Sequence, residues 1–324
     1  MTTFTARCNI CVIGYASLVC AIAGEKRPGH SKRRGRGAER RNGVTVNDSR
    51  GRVVLAVAPN GGRKTKADHP ALPLTAGELA ETAAECLERG ASMIHLHVRD
   101  AEGQHCLDPE AYRAAMAQIS QAVGDRLVVQ ITSESLGRYS PAEQRAAVLK
   151  TNPEAVSLAL RELAPEAADE KDFCVFLGKL KEMRVHPQII LYTPSDAERL
   201  GAMVKAGLIP FDRLSVLYVL GRFALTRTAL PRDLLPFLAP DMPRFHAWSV
   251  CAFGRRETAC VTAAALLGGH ARVGFENNVT LPNGERAASN AELVEAAAHA
   301  LEAVGLAPQT ADGLRQDIAA AMGW

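Results

Sequence analysis

Eight short runs of β-branched and other apolar residues recur along the chain from residue 52, and no other feature narrows the fold as far. They are RVVLAVAPN (52–60), SMIHLHVRD (92–100), LVVQITSES (127–135), AVSLALREL (155–163), QIILYT (188–193), RLSVLYVLG (213–221), RFHAWSVCAFG (244–254) and HARVGFENN (270–278). Between them lie Ala/Leu/Glu-rich stretches with helical spacing. One, TAGELAETAAECLERGA, opens on a Thr75-x-x-Glu78 capping box and closes at Gly90; another, SPAEQRAAVLK, has Ser140 as N-cap and Pro141 in the first turn. Strands alternating with helices predict parallel βα units. Eight units within one stretch, 51–324, predict a (β/α)8 TIM barrel, an α/β fold in a single catalytic domain. A doubly wound open sheet is the rival. It is weakened because no early strand leads into a G-x-G-x-x-G or a P-loop; APNGGRKTK is neither.

Composition bears on the N-terminal segment. Residues 1–50 carry ten Lys/Arg against three Asp/Glu, a net of +7, and because the whole chain is at +3 the rest is at −4. The basic balance therefore says nothing of a nucleic-acid surface on the barrel, and neither nucleic acid nor a membrane is expected as a partner. The apolar stretch 8–24, with Ala-x-Ala at 21–23, has features of an export signal or anchor, but the strongest positive charge follows it and opposes export. The run 25–43 is nearly free of apolar residues, which predicts disorder. The segment reads as an extension outside the functional protein, such as translation from an upstream start. Cys8 and Cys11 form a CxxC with no second pair. The five cysteines beyond residue 50 sit among apolar neighbours and read as reduced, which fits a cytoplasmic protein.

In a βα barrel the chemistry gathers where strands end. The polar ends here hold Asn60; His95, His97, Arg99 and Asp100; Gln130, Thr132, Ser133 and Glu134; Arg161 and Glu162; and Arg272, Glu276, Asn277 and Asn278. Alternate strand residues share a face, so His95, His97 and Arg99 oppose the aliphatic Ile94, Leu96 and Val98. The aliphatic set belongs against helices, which turns the histidines to the barrel axis. Two imidazoles on one strand face stand about 6–7 Å apart at Cα, which suits one metal ion. Arg272, Gly274 and Glu276 share a face on the last run, so Glu276 is a candidate third ligand, leaving positions open for substrate. Packing and ligation both remain open on this pattern alone. Arg99 and Asp100 also read as a salt-bridged rim, Gln130, Thr132 and Glu134 as polar filling, and His246 and His270 as structural.

The stretch APNGGRKTKADHPALPLTAGELAETAAECLERGASMIHLHVRD, with VVQITSES, WSVCAFGRRE and ARVGFENN, resembles the beta-keto acid cleavage enzymes over 52–320. That resemblance implies a zinc-dependent barrel, a homotetramer, converting a β-keto acid and acetyl-CoA into acetoacetate and a new acyl-CoA ester. It implies His95, His97 and Glu276 as zinc ligands, Arg272 as the arginine of the R-V-G-x-E motif, and Thr132 at a substrate-positioning serine, with Ser133 if the register slips. Asn60, Arg63, Arg99 and Asp100 fall among the substrate-binding positions. Three departures stand out. Asn277 replaces an acid that follows the glutamate ligand and cannot serve as a base, which leaves Glu134 or Asp100. Arg63 and Ile190 fall where acids hold an amino substrate, so a neutral or distally anionic β-keto acid is expected. A zinc amidohydrolase is the enzymatic alternative, but it carries its histidine pair on the first strand and more histidines on the fifth and sixth, where QIILYT and RLSVLYVLG have none.

Overall fold

The computed structural model describes residues 51–223 and 228–324. The readings of residues 1–50 as signal, anchor, basic tail or extension lie outside the described residues. Each apolar run supplies one barrel strand, shorter than the run except at the fifth: β1 (Leu55–Val57), β2 (Met93–Leu96), β3 (Val128–Thr132), β4 (Ala155–Ala159), β5 (His186–Leu191), β6 (Ser215–Leu220), β7 (Ala247–Ala252) and β8 (His270–Val273). Neighbours in sequence pair in parallel, and β8 closes onto β1 with Ala271 opposite Leu55 and Val273 opposite Val57. The protein is thus a closed (β/α)8 barrel.

Closure follows from the alternation. Ile94 and Leu96 are fully buried in one apolar cluster with Leu79 and Ala83 of α1 (Ala76–Glu88) and Tyr112 and Ile119 of α2 (Pro109–Val123). Removing such side chains from water stabilises by roughly 1.5–3 kcal/mol each. The Thr75 hydroxyl accepts from Glu78 N at 3.2 Å and Glu78 returns the bond to Thr75 N at 3.0 Å. Ser140 caps α3 (Pro141–Thr151) in the same reciprocal way with Glu143. Each cap contributes ~1 kcal/mol and fixes where the chain leaves a loop for a helix.

Four departures from the periodic pattern have local causes. The link between β6 and β7 is a 3-10 helix, Pro231–Leu238, whose Pro236 removes an α-helical donor. β2 stops at Leu96, after which Val98–Arg99 pairs antiparallel with His105–Cys106 in a short ribbon. β5 starts at His186, two residues before the predicted run, so it does carry a histidine, at its N-terminal end. β8 stops at Val273 because Gly274 turns to φ +130°, where an added Cβ would lie 2.5 Å from Ala58 O. The cysteines beyond residue 50 are free; all are buried except the half-buried Cys174. No described helix is long and apolar enough to cross a membrane.

Candidate active site

The C-terminal ends of the strands enclose a cavity of roughly 400 Å³ lined by His95, His97, Thr132, Glu134, Arg272, Glu276 and Asn277 on its polar side. Ala159, Ile190, Tyr192, Val219 and Phe253 form the apolar wall, and Arg222 sits at its edge. A second hollow, bounded by Arg63, Arg222, Phe223 and Phe253, shares two of those residues and extends the opening outward.

His95 comes from β2 and points inward, as its alternation with Ile94 and Leu96 requires. His97 lies just past the strand, where Asn60 holds the backbone: Asn60 Nδ2 donates to His97 O at 2.8 Å and His97 N donates to Asn60 Oδ1 at 3.2 Å. The rings stand 5.3 Å apart, nearly edge to face. Glu276 reaches the pair from the turn after β8, in which the N–H groups of Asn277 and Asn278 both bond Gly274 O. Lys64 supports that turn by donating to Phe275 O and, at 2.8 Å, to Glu276 O. Gly61 packs under it, since an added Cβ there would meet Glu276 Cγ at 2.6 Å.

Glu276 Oε2 lies 3.6 Å from His95 Nε2 and 3.5 Å from His97 Nε2. Those separations are too long for good N–H···O bonds. Glu276 Oε2 and both His97 nitrogens are buried without a hydrogen-bond partner. Burial, helped by the Arg272 cation, pushes His95 down to about 3, so its imidazole is neutral near pH 7. Burial alone would raise the Glu276 carboxyl, but Arg272, 3.0 Å away, with His97 and His95, holds it well below the usual carboxylate range. A carboxylate facing two imidazole nitrogens, with no donor between them, is the electron-rich pocket a divalent cation requires. His95, His97 and Glu276 offer ligand atoms within 4.8 Å of one another, so the residues present fit a metal ion.

Around this triad the other candidates separate. Thr132 faces the cavity and its hydroxyl accepts from Glu134 N at 2.9 Å, which holds the Glu134 carboxylate over the site. That carboxylate contacts Arg222 at 3.1 Å and His97 Nδ1 at 4.0 Å. Arg272 is buried, which opposes its charge, yet it stays charged beside the ionised Glu276 carboxylate. Its Nη2 also lies 3.4 Å from Asn277 Oδ1, while Asn277 Nδ2 is buried without a partner.

Five predicted residues do not line the central cavity. Ser133 has the opposite parity to Thr132 and donates to Ser157 O at 3.0 Å, away from the axis. Asn60 is the clamp just described. Arg99 donates to Gly61 O and braces the first loop. Asp100 accepts from Gln104 N at 2.7 Å inside the ribbon turn, because the chain has already left the barrel by Val98. Arg63 lines only the outer hollow.

Other participants were not legible. Arg222 ends the sixth run and obeys the same strand-end rule, one residue past the predicted boundary. Lys64 gave no signal, since its partners are backbone carbonyls over two hundred residues away. Glu257 lies wholly buried beneath the turn, bonded by Gly274 N and Asn278 Nδ2 at 3.2 Å each, and burial raises its carboxyl well above the usual range.

Comparison with known proteins agrees with this geometry. Residues 52–319 match the profile of the beta-keto acid cleavage enzymes. The chain is 30% identical over 276 residues to 3-keto-5-aminohexanoate cleavage enzyme of Fusobacterium nucleatum, covering 82% of this chain and 97% of that one. It is 28% identical over 267 residues to 3-oxoadipate:acetyl-CoA acetyltransferase of Cupriavidus necator, covering 78% and 89%. Among solved structures, the binary complex of ObcA with oxaloacetate shares the fold at a TM-score of 0.60 and 16% identity, over 77% of this chain and 67% of that one. With His95, His97 and Glu276 gathered at the mouth of a closed barrel that this profile spans almost end to end, the chain belongs to the beta-keto acid cleavage enzyme family.

Proposed function

We propose that the protein exchanges acyl groups between a β-keto acid and acetyl-CoA: R–CO–CH2–COO⁻ and CH3–CO–SCoA give R–CO–SCoA and acetoacetate. The observation that carries this is the convergence of His95, His97 and Glu276, with ligand atoms left unpaired, inside a barrel of this family. These three residues would hold a zinc ion, which when bound supplies a Lewis acid that stabilises negative charge on carbonyl oxygen.

The chain's own groups complete the task. Arg272 keeps Glu276 ionised and brings positive charge to the floor of the cavity, where an oxyanion develops. Glu134 is the base that takes a C2 proton. Of the two acids open to that role it is the one at the cavity, whereas Asp100 is used in a turn and Asn277 has no basic oxygen to protonate. Thr132 holds the backbone N–H of Glu134 and Arg222 holds its carboxylate. Asn277 Nδ2, buried without a partner, is a donor available to a substrate oxygen. Phe253, Val219 and Ile190 exclude water from the tail of the substrate.

The tail is neutral or anionic, as in a 3-oxo dicarboxylate. Ile190 offers an ammonium group nothing, and Arg63 and Arg222 at the opening repel it. The two relatives named above differ by only two points of identity and act by name on opposite kinds of tail, so these positions, not overall similarity, select the substrate. The test is acetoacetate formation from acetyl-CoA with a panel of β-keto acids, before and after metal stripping. A 3-oxo dicarboxylate should be turned over best, and Arg63→Glu should lower its kcat/KM about tenfold. Preference for an amino-keto acid would overturn the tail assignment, and full activity without metal would overturn the metal. The same reading has the enzyme cytoplasmic and homotetrameric; light scattering checks the assembly.

A further inference from the structure

Below the candidate metal ligands, a line of buried polar side chains runs down the inside of the barrel and takes no part in the chemistry above. His95 Nδ1 meets Gln130 Oε1 at 2.9 Å. Gln130 Nε2 donates to Gln188 Oε1 at 3.4 Å, and Gln188 Nε2 donates to Ser215 Oγ at 3.4 Å and Ser249 Oγ at 3.3 Å. Four strands, β3, β5, β6 and β7, thus contribute to one chain of hydrogen bonds that ends on His95. Gln130 and Gln188 are buried among β-strands that elsewhere present apolar groups, and a buried amide costs stability unless it is fully bonded.

We infer that Gln130, itself oriented by Gln188, is a positioning residue that sets the tautomer and ring orientation of His95 for metal binding. The inference rests on the metal reading above. A neutral imidazole can offer a lone pair at Nε2 only if its proton is on Nδ1. The proton on Nδ1 needs an acceptor, and Gln130 Oε1 is the acceptor within reach. An amide presents its oxygen reliably only if its nitrogen has somewhere to donate. Gln188 Oε1 fills that need, and the serine pair does the same for Gln188. The polarity of the line is therefore fixed from its upper end, because the serine hydroxyls at the lower end accept or donate equally well. His97 has no such support, since neither of its nitrogens has a hydrogen-bond partner. The two histidines are unequal ligands: His95 is held before metal arrives, and His97 is set by it.

The test measures metal affinity directly, by chelator competition for Zn(II) on the full-length protein, with thermal unfolding to confirm that each variant folds. Gln130→Met keeps the volume and removes the amide oxygen; it should weaken Zn(II) roughly 10- to 100-fold. Gln130→Glu keeps an acceptor for Nδ1–H and should bind within about threefold of wild type. Gln188→Leu should fall between the two. With Co(II) in place of Zn(II), the visible spectrum should shift in Gln130→Met and not in Gln130→Glu. Wild-type affinity in a folded Gln130→Met overturns the inference while leaving the metal reading intact. Failure of Gln130→Glu to rescue overturns it as well, even if Gln130→Met does not fold. A wild-type protein that takes up no metal overturns the metal reading, and this inference with it.

Discussion

The barrel interior has two ends, and each holds a pair of histidines, both buried at the upper end, one buried and one half-buried at the lower. At the upper end are His95 and His97; at the lower end His186 and His270 line a cavity of roughly 670 Å³ floored by Leu314, Asp317 and Ile318 of the C-terminal helix. The lower cavity is the larger one, and the Asp317 carboxylate on its floor acts on His270, yet no carboxylate lies within ligating reach of both histidines. His270 Nδ1 accepts from Val54 N at 3.2 Å, a structural bond, and burial alone pushes His186 down to about 4. Among the described residues, His95, His97 and Glu276 form a metal-competent triad and the lower pair does not. A histidine pair inside the barrel is therefore compatible with either role. What separates the two ends is a carboxylate within reach of both rings, kept ionised by a buried arginine.

The sharpest way to break this contrast is to remove that carboxylate. Glu276→Gln should make the upper end resemble the lower: metal content by elemental analysis should fall to background, and kcat/KM by on the order of a thousandfold, the several kcal/mol a Lewis acid supplies. Retention of both would mean that the histidines suffice without it.

Next in size, Glu134→Gln tests whether the upper end needs a base as well as a ligand set. The variant should keep its metal and lose about a hundredfold in kcat, with smaller change in KM. Loss of metal together with activity would instead make Glu134 a ligand.

The smallest effect lies at the lower end. His186 ionises near 6.5 when unfolded and near 4 when folded, so below pH 6.5 the unfolded chain binds more protons. Its contribution, on the order of 1–3 kcal/mol, is full above pH 6.5 and is lost as pH falls towards 4. His186→Gln should flatten the fall of Tm across that window and leave acyl exchange near pH 7 unchanged. An unaltered Tm profile would show that His186 is solvated.

Local pattern reaches some of these positions and misses others. Period-two alternation placed His95 inward and Ile94 and Leu96 outward, and the structure keeps that sorting because a strand has no other option. The same rule reached Glu276 by a route the structure does not use. Gly274 ends β8 and a turn brings Glu276 back, so the side chain arrives through backbone geometry and not through strand parity. Ser133 and Asp100 were ambiguous for a related reason: a residue at a strand end has two fates, and local pattern does not say where the last ladder bond falls.

The repeating βα units, the capped helix starts at Thr75 and Ser140, and the face on which each strand residue stands follow from local pattern, because they depend on neighbours a few residues away. Folding in three dimensions added how Glu276 reaches the histidines, that Arg272 keeps it charged, and that Gln130 and Gln188 line up beneath them. Arg272 and Glu276 are four residues apart, but the other groups are separated by dozens to hundreds of residues. They meet because eight strands close into one ring, and the free energy of burying a charge depends on what that closure places beside it.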